Sequence, residues 1–483
     1  MFFLNSAKAV CFELPIQLKL EAIYKMLFRK IKFSSKQRFA VVLIWFALFA
    51  PYNYAQEART VWISEKKTAV SIPQYLDLQN GKTADELVSY ALANNAELAA
   101  MRSEATAAEA LVRQAGLRPN PSLEVSGTRQ IGGMGDNSLM VQGSLPLELG
   151  GRRGGRIRVA ERELEIRRLA VAERERLLAA EVRAKFGESL AAAYKLRFTE
   201  EMLALANQNY KIVTARVEEG RRPPLEQNVE TVELNRLRAM RETSESTVEI
   251  RLLELRNLVG MLPEEPLRVS GGFEDLLVTP PPQTDSIENA LARRPDLQGA
   301  RAVEQLAQAR IEQARTEGKI DADLMLGYQR MQTGFPLRGI DDAGNLQPIE
   351  NRMNFFTFGV TLNLPVRNRN QGMIAAAVAE EEAARLRRQF GELTVRREVA
   401  AANVRFNSAA RAMQIYRVGV REQAAENLGV VRQIYELGAK PLFDYIAEQR
   451  RFIETESGFI DAQLETYLAR IEILRAANAP ELK

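Results

Sequence analysis

The sequence contains no histidine, and its one cysteine, Cys11, lies close to the start. Without imidazole the chain has no histidine acid–base or nucleophilic catalyst, and past Cys11 it has no disulfide and no thiolate metal ligand. It also lacks a long hydrophobic run: the longest, Phe39 to Ala50, is twelve residues. A bilayer-spanning helix needs roughly 20. Arg29, Lys30, Lys32, Lys36 and Arg38 precede that run and Asn53-Tyr54-Ala55-Gln56 follows it, so residues 1–55 read as a signal peptide cleaved after Ala55, with Met26 as an alternative start. That segment carries eight Lys/Arg against two Asp/Glu, and its removal turns a formal net charge of +4 into −2. The basic character belongs to the signal and gives no reason to expect a nucleic-acid partner. No cofactor is expected.

What is present is present twice. Ala91-Leu92-Ala93-Asn94-Asn95-Ala96-Glu97-Leu98 recurs as Ala290-Leu291-Ala292-Arg293-Arg294-Pro295-Asp296-Leu297, an offset of 199. Leu145-Pro146-Leu147 answers Leu364-Pro365-Val366 at 219, and Gly220 with Pro223 answers Gly438 with Pro441 at 218. A register that jumps once and then holds indicates a duplicated scaffold with a longer strand-to-strand loop in the second copy. The expected organisation is an N-terminal segment 56–82, a first repeat 83–260, a linker 261–284, a second repeat 285–476 and a tail 477–483.

From Arg152 to Glu219 there is no proline, and Ala, Glu, Arg and Leu dominate; the second copy repeats this from Arg367 to Lys440. At ~1.5 Å per residue each is a helix on the order of 100 Å long. Ile157, Leu164, Val171 and Leu178 fall seven apart, as do Ile453, Ile460, Tyr467 and Leu474, the seam of a supercoiled helix packed on another. Glu219-Gly220-Arg221-Arg222-Pro223-Pro224 and Leu437-Gly438-Ala439-Lys440-Pro441 close helical hairpins, glycine ending one helix and proline starting the next. Between helices lie short alternating segments: 122–130, 138–147, 323–331 and, most regularly, 354–364, where Phe356, Phe358, Val360, Leu362 and Leu364 oppose Phe355, Thr357, Gly359, Thr361 and Asn363. Period-two alternation over roughly 10 residues fits a transmembrane β-strand. Four strands cannot close a barrel and an open edge cannot sit in lipid, so a membrane sheet here would have to be completed by other chains.

With Leu117-Arg118-Pro119-Asn120-Pro121 entering the first strand, Leu145-Pro146-Leu147 leaving the second, and glycine-centred tips, the chain resembles the TolC-type outer-membrane efflux family over essentially its whole mature length. The run from Leu145 to Arg156 is most similar to the branch serving cobalt-zinc-cadmium and copper-silver exporters. The resemblance implies a mixed all-α plus β fold: a long coiled-coil helical barrel carrying a 12-stranded transmembrane β-barrel completed only in a homotrimer, four strands per chain. It implies a passive outer-membrane channel reaching into the periplasm, working with a periplasmic membrane-fusion adaptor and a resistance-nodulation-division pump of the inner membrane, with outer-membrane lipid around the barrel, and exporting heavy-metal cations. Loops 131–137 and 333–352 would face outside.

Carried to the hairpin tips, the resemblance places an aperture carboxylate at Asp444, with Glu226 at the matching place in the first copy. The family's second gate aspartate falls at Ala447, with Glu448 as its potential substitute. Tyr435 and Lys440 occupy the latch positions, with Glu226 as their expected partner on the neighbouring hairpin. Arg216, Val217, Gly220, Leu437 and Gly438 are docking candidates for the adaptor. A soluble periplasmic coiled-coil scaffold or adaptor-like protein is the alternative reading. An enzyme is disfavoured, because Gly150-Gly151-Arg152-Arg153-Gly154-Gly155 lacks the Gly-Lys-Ser/Thr ending of a phosphate loop and no catalytic or metal residues suggest themselves.

Overall fold

The computed structural model describes residues 72–131, 136–277 and 286–482. The expected signal segment with its alternative start at Met26, residues 56–71, the middle of the loop 131–137 and the end of the linker 261–284 lie outside the described residues. The described elements belong to one unit beginning at Val70.

Two short helices, α1 (Ile72–Tyr75) and α2 (Ala84–Asn94), lead into α3 (Ala96–Ala115), the hairpin β1 (Ser122–Arg129) and β2 (Asn137–Pro146), and two long helices, α4 (Arg152–Glu218) and α5 (Pro224–Val259). After α6 (Phe273–Leu277) the pattern returns as α7 (Ser286–Arg293), α8 (Pro295–Glu317), β3 (Asp321–Ile340), β4 (Leu346–Asn363), α9 (Gln371–Ile415), a π-helical turn at Tyr416–Arg421, α10 (Glu422–Glu436) and α11 (Leu442–Ala477). Local signals set the boundaries: Thr83 and Glu86 form a reciprocal capping box at the start of α2, and Pro224 and Pro295 open α5 and α8 with a fixed φ and no N–H to lose.

α4 is the spine. Its Leu178, Phe186, Leu190 and Leu196 pack with Leu87 and Val88 of α2, Leu252 and Leu255 of α5, and Tyr467 and Leu474 of α11 in the largest core cluster. Each such side chain contributes on the order of 2 kcal/mol. Gly187 makes the α4–α11 approach possible, since a Cβ there would stand 2.5 Å from the Tyr467 ring. The seam Ile453, Ile460, Tyr467 and Leu474 is buried throughout, whereas its α4 counterpart is buried at Leu178 and half-buried nearer the sheet. Among the described residues no helix is long and apolar enough to cross a membrane.

The four strands form one antiparallel sheet in the order β1-β2-β3-β4. The register aligns Val125, Val141, Tyr328 and Phe356 in one row, and Leu326 with Phe358 in the next. Side chains of one parity therefore build a continuous apolar face, and it is bare: Phe356 is 80% exposed and Phe358 84%. The other face carries Glu124, Ser126, Gln142, Ser144, Gln329 and Thr357.

Two expectations are corrected. Residues 333–352 are not a loop: β3 and β4 continue pairing to Ile340↔Leu346, past a register shift between Gly334 and Arg338. Only a short turn remains, in which the Asp341 carboxylate accepts the N–H groups of Ala343 at 3.0 Å and Asn345 at 2.8 Å. The π-helical turn also interrupts what the sequence suggested was one helix from Arg367 to Lys440.

Candidate functional site

The hairpin tips lie at the helix ends far from the sheet. Gly220 and Gly438 adopt φ of +71° and +79°, the left-handed conformation that ends a helix most cheaply at glycine. The closures match: Gly220 and Arg221 donate to the carbonyls of Val217 and Arg216, Gly438 and Ala439 to those of Tyr435 and Ile434. Arg216 and Val217 are half-buried at this turn, while Gly220, Leu437 and Gly438 are exposed.

Between the tips is a compact polar cluster over an apolar floor. Tyr435 is buried with Leu442, Tyr445 and Ile446, its ring stacked on that of Tyr445 at 5.8 Å between centroids. Its hydroxyl donates to Glu226 Oε2 at 3.3 Å, and the Arg222 guanidinium lies 5.2 Å over its ring while donating to Glu226 Oε1 at 3.3 Å. These contacts join α5 to α10, hairpin to hairpin. Burial, and then the Glu226 charge, push the Tyr435 hydroxyl up to about 12, so it stays a donor at neutral pH.

Lys440 does not reach Glu226 as expected. From the turn it pairs with Asp444 in the first turn of α11 at 3.7 Å, both largely exposed, and Arg222 takes the place beside Glu226. The chain explains the exchange, since Arg222 precedes Glu226 by four residues as Lys440 precedes Asp444, one helical turn in each copy. Glu448, the proposed substitute for the missing aspartate at Ala447, is held by Arg451 at 3.3 Å.

Further up α5 are two carboxylates that the sequence reading missed. Glu233 is buried, and although burial opposes ionisation, hydrogen bonds from Arg236 and Arg450 hold its pKa below the ordinary carboxylate value. Glu230 is buried with no such cation among the described residues: burial, then the charges of Glu233 and Glu226, raise it to about 7. The spacing 226, 230, 233 on one helical face was the available signal. Among the described residues no group of three or more metal-ligating side chains could hold an ion.

The family profile described as outer membrane efflux protein matches residues 87–261 and 286–479, which take in the sheet and both helical hairpins. The chain belongs to the outer membrane efflux protein family. The cobalt-zinc-cadmium resistance protein CzcC of Cupriavidus metallidurans is 23% identical to it over 397 residues, covering 81% of this chain and 89% of that protein. Among solved structures, CusC is similar with a TM-score of 0.68 at 18% identity, covering 82% of this chain and 91% of the other. The Neisseria gonorrhoeae MtrE channel in its open state gives 0.64 at 18%, covering 82% and 88%. This efflux protein is accordingly an outer-membrane component, and its relatives are channels rather than enzymes. Members of the family work with an adaptor and an inner-membrane pump in tripartite systems.

Proposed function

We propose that three copies of this chain close a 12-stranded barrel through β1–β4 pairing and conduct substrate passively from a periplasmic membrane-fusion adaptor and a resistance-nodulation-division pump to the outside. The sheet carries this reading: four strands with a bare apolar face and unpaired edges at β1 and β4 are stable in lipid only when the edges are closed. The chain performs no catalysis of its own in this reading. Heavy-metal cations are the proposed cargo, supported by the name of the Cupriavidus relative. Selection by coordination is not expected here; rings of Asp444 and Glu226 around a narrow pore would favour cations by charge.

The tips form the proposed aperture, with Tyr435, Glu226 and Arg222 as the latch and Lys440 holding Asp444 until the ring assembles. Arg216, Val217, Gly220, Leu437 and Gly438 are the proposed adaptor contacts. Outer-membrane extraction in mild detergent followed by light scattering is the test. A trimer supports the channel, and a soluble monomer or dimer favours the periplasmic scaffold instead. In planar bilayers, Arg222→Gln combined with Tyr435→Phe should raise single-channel conductance several-fold over the unmodified trimer; unchanged conductance removes the latch.

A further inference from the structure

The four junctions between strands and helices meet at one level. Arg153 donates to the Gly116 carbonyl at 2.6 Å and Arg156 to that of Leu117 at 3.2 Å, tying the entry to β1 to the start of α4. Arg152 binds Asp321 at 2.7 Å and the Glu317 carbonyl at 3.1 Å, tying the same helix to the entry to β3. Asn370 donates to the Ala314 carbonyl at 2.9 Å, adding the exit from β4. These junctions, residues 116–121, 147–158, 316–321 and 364–371, hold eight Lys/Arg and three Asp/Glu. Two of the three carboxylates are already engaged, Glu148 by Arg156 and Asp321 by Arg152.

Arg118, Arg158, Lys319, Arg367 and Arg369 are exposed and have no carboxylate partner among the described residues. Five unmatched cations at one level are a local excess in a chain whose charge beyond residue 55 is slightly negative. Immediately beside them stand exposed apolar side chains, Leu117, Leu149, Ile320, Leu364 and Val366. A cleft of about 460 Å³ between α3 and α4 combines the two chemistries, with Leu111, Leu117 and Pro119 beside Arg118 and beside Arg156, which Glu148 of the same lining engages. Apolar surface that turns abruptly into unpaired guanidinium matches a lipid that is hydrocarbon on one side and phosphate on the other.

The geometry points to a belt of anionic-phospholipid sites at the strand-to-helix junctions, in which Arg118, Arg158, Lys319, Arg367 and Arg369 hold headgroup phosphates of the periplasmic leaflet. This inference rests on the outer-membrane placement of the sheet and not on the gate or the cargo. The belt would fix how deeply the barrel sits, because apolar strand and cationic junction must straddle the same boundary.

The test uses the full-length protein in dodecyl maltoside, titrated with phosphatidylglycerol or phosphatidylcholine and followed by melting temperature and by lipid adducts in native mass spectrometry. Phosphatidylglycerol should bind at least about tenfold more tightly than phosphatidylcholine, and the preference should collapse in R118Q/R158Q/R367Q/R369Q. Equal binding of the two lipids, or an unchanged preference in the variant, overturns the belt. Inorganic phosphate reproducing the full stabilisation overturns a lipid site in favour of free anion. Should the quadruple variant fail to fold, R118Q alone and a salt series on the unmodified protein decide: a preference unaffected by either is not electrostatic. Light scattering on the same samples reports assembly separately, so loss of the trimer is distinguishable from loss of the lipid preference.

Discussion

α4 and the α9–α10 pair hold the same place in the two copies of the repeat, yet their surroundings differ. α4 buries Leu178, Phe186, Leu190 and Leu196 beneath other helices, while α9 buries only alanines and valines and leaves Phe390, 71% exposed, with Leu393 and Val404 on its open side. One scaffold has thus been used as a central wall and again as an outer seam. Duplication supplied the geometry, and side-chain size at matching positions decided which copy the chain completes by itself. The bare face of α9 is the natural contact for the next copy in the proposed trimer.

The largest effect should come from removing the wall. Leu190→Ala, at a fully buried site, is expected to cost about 2–5 kcal/mol in chemical denaturation. Phe390→Ala should change the stability of the isolated chain by no more than about 0.5 kcal/mol while weakening assembly measured by light scattering. Equal losses from both would end the distinction between wall and seam.

The tips sharpen the comparison through charge. By the 218-residue offset Glu230 corresponds to Glu448, and Glu233 to Arg451. The second copy therefore gives its carboxylate a cation where the first supplies another carboxylate. Glu230 has a folded pKa of about 7 against 4.5 ordinarily, so between these values the folded chain keeps a proton the unfolded chain has released. Stability from this group is then present at low pH, falls as pH rises from about 4.5 to about 7, and levels off above. Glu230→Gln should flatten that slope and raise stability at pH 8 by on the order of 2 kcal/mol in denaturant titrations. Glu448→Gln, which removes the ion pair with Arg451, should leave the slope in place.

The smallest contrast concerns glycine. Gly187→Ala meets the Tyr467 ring, and overpacking outweighs the gain in helix propensity, for a net loss of about 1 kcal/mol. Gly372→Ala, in open space at the start of α9, should be neutral or stabilising by a few tenths. Melting temperatures of the two variants order them directly.

Much of this was legible in the residues. The offsets located both hairpins, and alternation from Asn354 to Leu364 located β4, because a face in lipid must be apolar at every second position. The extension of β3 and β4 was not legible, since Gly334, Pro336, Gly339 and Pro348 break the alternation and read as a loop, whereas the ladder absorbs them with a register shift. At the tips Tyr435 and Glu226 were found, and the same offset applied to Lys440 leads to Arg222, the cation that engages Glu226. Glu230 and Glu233 were missed because the spacing that puts Glu226, Glu230 and Glu233 on one face does not say whether that face is covered; Arg450, which engages Glu233, lies 217 residues away in sequence.

The open sheet also bears on the time before assembly. A chain newly delivered to the periplasm, and not yet joined to the other copies of the proposed trimer, would carry two unpaired strand edges and the bare rings of Phe356 and Phe358 through an aqueous compartment. Such a surface templates the wrong partner as readily as the right one. In the proposed trimer the hazard is therefore one of timing, confined to the interval between export and insertion.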